Sequence, residues 1–211
     1  MLPHGFSIAL YFPGMLTLAL LVLPAVAVAG GATFNVRQFG AVGDGTNMDT
    51  ASLQQAIDAA ANAGGGTVLF PAGRYLSASL DLKSHVTLQL DEDAILLGSP
   101  HKPDYRKANF YGLLLADNQQ DIAVCGKGVI DGQGVLLAAD TRRLWKEKKL
   151  SNAREGERPV IINFRNCTNV IVRDITLKDS ASWVEDYRDC VHLPVENIKV
   201  RSISVANNDG I

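Results

Sequence analysis

The chain has 211 residues, of which 47% are hydrophobic, 20% charged and 7% aromatic, and its formal net charge is −2. This composition excludes an intrinsically disordered chain, a collagen and a coiled coil, and the length predicts one domain with a real core. The near-zero net charge gives no reason to expect a nucleic-acid partner. The 19 glycines, together with many Val and Ile residues, favour a turn-rich β protein.

Residues 1–29 are interpreted as a signal peptide. They contain no Lys, Arg, Asp or Glu, and residues 15–23 form a largely apolar run that ends at Pro24 and precedes small residues suited to cleavage. The run is too short to span a bilayer, which takes ~20 apolar residues. An uncleaved anchor stays open as the alternative, because the segment before the run has no basic side chain. We expect a secreted or periplasmic protein with no membrane attachment after cleavage.

The mature chain, residues 30–211, is predicted to begin with a strand and a helix. Residues 33–39 alternate as a strand does, and a glycine-rich turn follows. Asp49 or Thr50 can cap the helix, and three consecutive glycines at residues 64–66 end it. The helical spacing of i, i+3, i+4 and i+7 predicts four buried residues. They are Leu53, Ala56, Ile57 and Ala60.

The rest of the chain consists of short apolar runs, two of which repeat each other. Residues 169–177 align with residues 197–205 at an offset of 28, and residues 121–124 resemble the start of the same unit. Repetition of this kind, with polar corners, predicts a β-solenoid in which Asn at a fixed corner bonds to the backbone of the next coil. A β-sandwich is the alternative, because its strands are also short.

A second helix is predicted in an insertion at residues 136–158. Residues 139–158 contain seven Lys or Arg residues against four Asp or Glu residues, which makes this segment basic in a slightly acidic chain. Two interpretations stay open, a solvated helix face and a basic rim that attracts an anionic polymer.

Several ordered motifs resemble one family of enzymes. The glycine-rich opening at residues 39–45 and the run at 64–73 resemble the start of pectate-lyase-like proteins. The later segments at 126–134, 180–183 and 207–211 narrow the resemblance to glycoside hydrolase family 28, the polygalacturonases and rhamnogalacturonases. The resemblance implies an all-β, right-handed parallel β-helix with an N-terminal capping α-helix.

The family resemblance also implies which residues carry the chemistry. Inverting hydrolysis needs one carboxylic acid for the leaving oxygen and one carboxylate that activates water. Asp209 matches the water-activating carboxylate of the family's Asn-x-Asp motif, and Asn207 matches its Asn. The family's Asp-Asp pair, Gly-His-Gly and Arg-x-Lys motifs are absent from the 211 residues. We therefore expect an inactive N-terminal portion of a longer enzyme whose C-terminal coils are missing.

Other candidate residues are given structural roles, or their roles are left with two alternatives. Trp183 is assigned to substrate binding by stacking on a sugar, although packing between coils is the alternative. The acidic run at residues 91–93 is predicted to be a turn, and His85 a corner residue. Cys167 and Cys190 are 23 residues apart, which differs from the offset of 28, so they need not stack; buried free thiols and a disulfide are both open. No residues have metal-ligand spacing, so neither a metal nor a cofactor is expected.

The function predicted from this resemblance is hydrolysis of a pectin-like polysaccharide by a monomeric full-length protein. Two alternatives stay open. One is a polysaccharide lyase that shares the glycine-rich opening. The other is a β-helix module that binds carbohydrate without cleaving it.

Overall fold

The computed structural model describes residues 31–108, 110–154, 157–203, 205–206 and 209–210. The predicted signal peptide lies outside these residues. Within them, no helix has the length and apolar character needed to cross a membrane.

Three parallel sheets account for the strands, and the chain visits sheets I, II and III in turn. Sheet I contains β1 (Thr33–Asn35), β3 (Gly66–Phe70), β6 (Val86–Leu90), β9 (Gln120–Gly126), β12 (Thr168–Arg173) and β15 (Val195–Glu196). Sheet II contains β2 (Asp44–Met48), β4 (Gly73–Ser77), β7 (Ala94–Gly98), β10 (Val129–Asp131), β13 (Thr176–Lys178) and β16 (Lys199–Arg201). Sheet III contains β5 (Leu80–Asp81), β8 (Gly112–Asp117), β11 (Val160–Arg165) and β14 (Glu185–Arg188).

This arrangement is a parallel β-helix, as predicted, because each strand pairs with the equivalent strand of the next coil. Alternate side chains of each strand point into the core, where they stack in columns of residues in register. One such column in sheet I consists of Val68, Leu88, Val124 and Val172, all fully buried. Burial of each such side chain contributes about 1.5–3 kcal/mol, so the columns hold neighbouring coils together.

The register between the last two coils differs from the predicted one. Val172 pairs with Val195, and Thr176 pairs with Lys199, so the structural offset is 23 residues and the sequence alignment at 28 is wrong. The bridge between Thr168 and Val191 also places Cys167 and Cys190 on neighbouring coils in the same register, although the predicted offset of 28 did not require the two cysteines to stack. Both are free thiols.

Helix α1 (Thr50–Asn62) follows β2, and its buried residues are the four predicted from helical spacing. The helix lies against β1, β3 and β5. Asp49 precedes the helix without capping it by its side chain. Its buried carboxylate instead accepts hydrogen bonds from the backbone N–H groups of Val42 (2.6 Å) and Gly43 (3.0 Å), so it fixes the glycine-rich turn. That α1 caps the β-helix stays a prediction.

Helix α2 (Gly134–Lys146) lies between β10 and β11 and begins two residues before the predicted insertion. One of its basic side chains forms ion pairs within the insertion. Arg143 forms ion pairs with Asp140 (2.6 Å) and Glu147 (2.8 Å), which offsets part of the positive charge within the insertion.

The corner between sheets III and I contains four stacked residues with φ between 54° and 65°: His85, Asp121, Asn169 and His192. Asn, Asp and His tolerate this left-handed region better than most residues. The side chains bond to one another along the stack, with Asn169 donating to Asp121 at 2.8 Å and His85 lying 3.2 Å from Asp121. His85 is therefore a corner residue, as predicted. The hydrogen bonds at this corner join one side chain to the next, whereas the sequence analysis predicted bonds from an Asn side chain to the backbone of the next coil.

Candidate functional site

The predicted residues Trp183 and Asp209 lie together at one edge of sheet III. Residues 209–210 lie beside the start of β14, because the N–H groups of Val184 and Glu185 donate to the carbonyls of Asp209 (2.9 Å) and Gly210 (3.4 Å). Trp183 and Asp209 then line a cavity of about 370 Å³. The complete lining is Trp183, Glu185, Asp186, Tyr187, Asp209 and Gly210. Asn207 lies outside the described residues.

Trp183 is not a core residue. Its side chain is 36% exposed, and its ring makes an edge-to-face contact with Phe110 at a centroid distance of 5.5 Å. The indole therefore presents apolar surface to the cavity, which suits the apolar face of a sugar ring.

Glu185 and Asp186 point to opposite faces of β14. Glu185 is in register with Ile162 and Leu114, which are core residues, so its side chain points inward and is 4% exposed. Its Oε1 accepts a hydrogen bond from the Tyr187 hydroxyl at 2.7 Å, and its Oε2 has no partner among the described residues. Burial raises the pKa of the Glu185 carboxyl, and the bond from Tyr187 lowers the pKa by a smaller amount.

Replacement of Glu185 by Gln should remove a pH dependence from the stability of the protein. A carboxyl whose pKa is raised by folding contributes stability below its ordinary pKa, and this contribution is lost as the pH rises through the raised value. Wild type should therefore lose stability relative to E185Q as the pH rises above the ordinary range of a carboxyl group, measured as urea midpoints. The exposed control E92Q should keep the wild-type pH dependence. Parallel curves for wild type and E185Q would contradict the inward burial of a titrating carboxyl.

Asp186 lies on the outer face of sheet III, where it holds an arginine. Arg188 Nε donates to Asp186 Oδ1 at 3.2 Å, and the guanidinium carbon lies 4.9 Å from the centre of the Phe110 ring. Phe110 thus contacts both Trp183 and Arg188, and a continuous surface runs from the cavity across β14. The cavity combines carboxylates, an aromatic ring and a nearby guanidinium, which can together bind and orient a polar, ring-shaped substrate.

The remaining candidates lie away from this cavity or contribute to the scaffold. The acidic run forms the turn between β6 and β7, where the N–H of Ala94 donates to the Asp91 carbonyl, as predicted. His192 belongs to the corner stack and lies 3.2 Å from Asn169. Across the described ranges, no three His, Cys, Asp or Glu side chains are grouped as a metal ion requires.

Sequence patterns assigned no role to Glu185 and Asp186, and they did not identify Arg188 as a site residue. The alternation of inward and outward positions in residues 185–188 is the signal that could have found them. It was hidden because Glu185 occupies an inward position, where an apolar residue is expected.

Comparisons with known proteins agree with this fold. The family model described as rhamnogalacturonase A/epimerase, pectate lyase-like, matches residues 33–133. A Vitis vinifera protein named as a probable polygalacturonase is 32% identical over 200 residues, which cover 82% of this chain and 38% of the relative. The Streptococcus pneumoniae plasmin and fibronectin-binding protein A is 36% identical over 156 residues, which cover 69% of this chain and 21% of the relative.

The match to one solved structure extends over most of that structure's chain. A Parabacteroides merdae protein assigned as a glycosyl hydrolase is 32% identical, with a TM-score of 0.79 over 82% of this chain and 76% of that chain. The curated relatives are longer, and this chain spans well under two thirds of the two described above. The three parallel sheets and these similarities together show that the chain belongs to the pectate-lyase-like superfamily, in its glycoside hydrolase family 28-like branch.

Proposed function

We propose that this chain forms the first part of a secreted glycoside hydrolase that cleaves a pectin-type acidic polysaccharide by inverting hydrolysis. The observation that carries the proposal is the cavity at the edge of sheet III, which Asp209 lines together with the partly exposed indole of Trp183. The similarity to the Vitis vinifera relative supports the substrate class. The proposal includes cleavage of residues 1–29 as a signal peptide and a domain over residues 30–211.

Asp209 is proposed to activate water, with Asn207 and Trp183 contacting the substrate. Inverting enzymes place the second carboxyl group ~6.5–9.5 Å away, so that a water molecule fits between base and sugar. The family's Asp-Asp pair is absent from the 211 residues. We therefore place the general acid in a following coil of a longer protein, which agrees with the 38% of the Vitis vinifera relative that this chain spans.

The test uses two proteins, this chain and the product of the source gene read beyond codon 211. The longer product should release reducing ends from polygalacturonate, and D209N should lower its kcat by about 100-fold or more, because the base is lost. The control D93N alters a carboxylate in the turn between β6 and β7 and should keep wild-type activity. Equal rates for D209N and wild type would overturn the role of Asp209.

A second function is favoured by one specific similarity. The relative from Streptococcus pneumoniae is named for binding plasmin and fibronectin, so this fold also occurs in a binding protein. A module that binds polysaccharide without cleaving it would be retarded by the polymer in affinity electrophoresis and would release no reducing ends from it. A lyase would instead yield unsaturated products that absorb in the ultraviolet.

A further inference from the structure

Two cysteines lie side by side at the corner between sheets III and I. Cys167 follows β11 and Cys190 follows β14, and their offset of 23 residues is the one that relates the paired strands of these two coils. The bridge between Thr168 and Val191 continues this register at the corner, and the N–H of Val191 donates to the Cys167 carbonyl at 2.8 Å. Cys167 and Cys190 therefore occupy equivalent positions of neighbouring coils.

The backbone spacing at this corner suits a disulfide bond. Neighbouring parallel strands are about 4.8 Å apart, and Cα atoms joined by a disulfide are about 4.4–6.8 Å apart. Side chains at equivalent positions of stacked coils also leave the backbone on the same face. The sulfur of Cys190 lies 3.7 Å from the carbonyl oxygen of Phe164, which belongs to the coil of Cys167, so this side chain already reaches across to the neighbouring coil.

Oxidation of the two thiols would leave the local backbone hydrogen bonds in place. Each thiol donates to the carbonyl two residues before it, that of Arg165 at 3.0 Å and that of Arg188 at 3.5 Å. Both carbonyls also accept from a backbone N–H group, Arg165 from Asn118 (3.1 Å) and Arg188 from Asn166 (2.9 Å). Loss of the thiol protons therefore leaves neither of these carbonyls without a hydrogen bond.

A bond between these two positions would close one full turn of the β-helix into a covalent ring. Residues 167–190 contain β12, β13 and β14, which are one strand from each of the three sheets. The ring also contains Trp183, which lines the cavity with Asp209. A cross-link of this kind restricts the unfolded chain and so stabilises the folded one.

We propose that Cys167 and Cys190 form a disulfide bond in the presence of a thiol–disulfide oxidant, and that this bond fixes the coil of Trp183 to the coil before it. With oxidised glutathione as the oxidant, the protons of the two protein thiols pass to the two glutathione sulfurs, whose S–S bond breaks as the new S–S bond forms. Disulfides persist in oxidising compartments, which agrees with the secretion proposed above. The bond and its test do not depend on the polysaccharide function.

The two sulfurs differ in access, which predicts the order of the steps. Cys190 is half-buried and meets the oxidant first, whereas Cys167 is fully buried. The thiolate of Cys167 then attacks the mixed disulfide at Cys190 and releases the second glutathione. Burial raises the pKa of the Cys167 thiol, and the neighbouring Cys190 shifts it in the same direction. The second step should therefore become faster as the pH rises, because the thiolate is the nucleophile.

The experiment treats this chain with oxidised glutathione in native buffer and maps the products with trypsin. Wild type should keep one free thiol of its three, and its mass should fall by two hydrogen atoms. Trypsin cuts after Arg165 and Arg188, so the product should contain peptides 166–173 and 189–199 joined through their single cysteines. The bond should raise the melting temperature by about 5–10 °C relative to the same protein after reduction.

Cys125 supplies the matched control, because its neighbours in register are Gln89 and Arg173, neither of which can form a disulfide. C125S should keep both the linked peptides and the rise in melting temperature. C167S and C190S should each lose both. C167S should in addition retain glutathione on Cys190, since the thiol that displaces it is gone.

Three results would overturn the proposal. If folded wild type keeps three free thiols after oxidation, the pair does not react in the native register. If wild type stops at the glutathione adduct of Cys190, as C167S should, the sulfur of Cys167 does not reach its neighbour. If the linked product contains peptide 108–127, and with it Cys125, the bond forms in an unfolded chain instead of the stacked coils.

Discussion

Substitution of Gly126 by Ala should destabilise the protein by about 3 kcal/mol or more, one of the two largest effects we expect. Gly126 ends β9 with φ of +113°, and a Cβ there would lie 2.1 Å from the carbonyl oxygen of Leu90 on the neighbouring coil. The left-handed conformation costs roughly 1–3 kcal/mol for a residue with a side chain, and the clash with backbone of the next coil adds roughly as much. Urea unfolding followed by far-ultraviolet circular dichroism measures the loss.

Gly64 provides the control that separates these two causes. It has φ of +88°, but a Cβ there would meet no atom within 4 Å. G64A should therefore cost only the conformational strain, about 1–2 kcal/mol. Equal losses for G126A and G64A would show that the coils can separate at Leu90 without cost, which would contradict the tight stacking of β6 and β9.

Substitution of Glu157 by Gln should destabilise the protein by about 3 kcal/mol, because it leaves a buried ammonium without its anion. Lys102 Nζ lies 3.3 Å from Glu157 Oε2, and only 7% of the lysine side chain is exposed. The same Nζ lies 3.7 Å from the centre of the Tyr111 ring, which stabilises the charge less than a carboxylate does. The measurement is again the free energy of unfolding in urea.

The pair between Lys127 and Glu92 gives the matched control. Its atoms are 3.9 Å apart, and both side chains are 77% exposed. E92Q should change the free energy of unfolding by no more than about 0.5 kcal/mol, because water screens the pair. If E157Q cost as little as E92Q, the ammonium of Lys102 would have to reach water when its partner is lost.

Local patterns in the amino-acid sequence predicted much of the fold. The stripe at Leu53, Ala56, Ile57 and Ala60 predicted the buried face of α1 without error, because helical periodicity depends only on residues within a few turns. The short apolar runs separated by polar corners predicted a β-solenoid, and the corner position of His85 followed from the same reasoning. These features depend on contacts between residues close together in the sequence, or on the pattern of apolar runs and polar corners within a single coil.

The pairing register between neighbouring coils, and the burial that depends on it, could not be predicted from the sequence pattern. The best local alignment of residues 169–177 with 197–205 gave an offset of 28, whereas packing of Val172 on Val195 selects 23, and this choice also stacks Cys167 on Cys190. The reason is that a shift in register along a strand changes which side chains meet in the core, and only the neighbouring coil decides which shift buries them best.

The sequence by itself therefore predicted a β-solenoid with an early helix, and its resemblance to a known family implied the parallel β-helix and named Asn207, Trp183 and Asp209 as candidate site residues. Only the tertiary structure decided that Asp49 binds the backbone of a turn and that Glu185 points into the core. The first set follows from periodicities and motifs along the chain. The second depends on residues brought together from separate coils, where burial and pairing set the behaviour of each charged group.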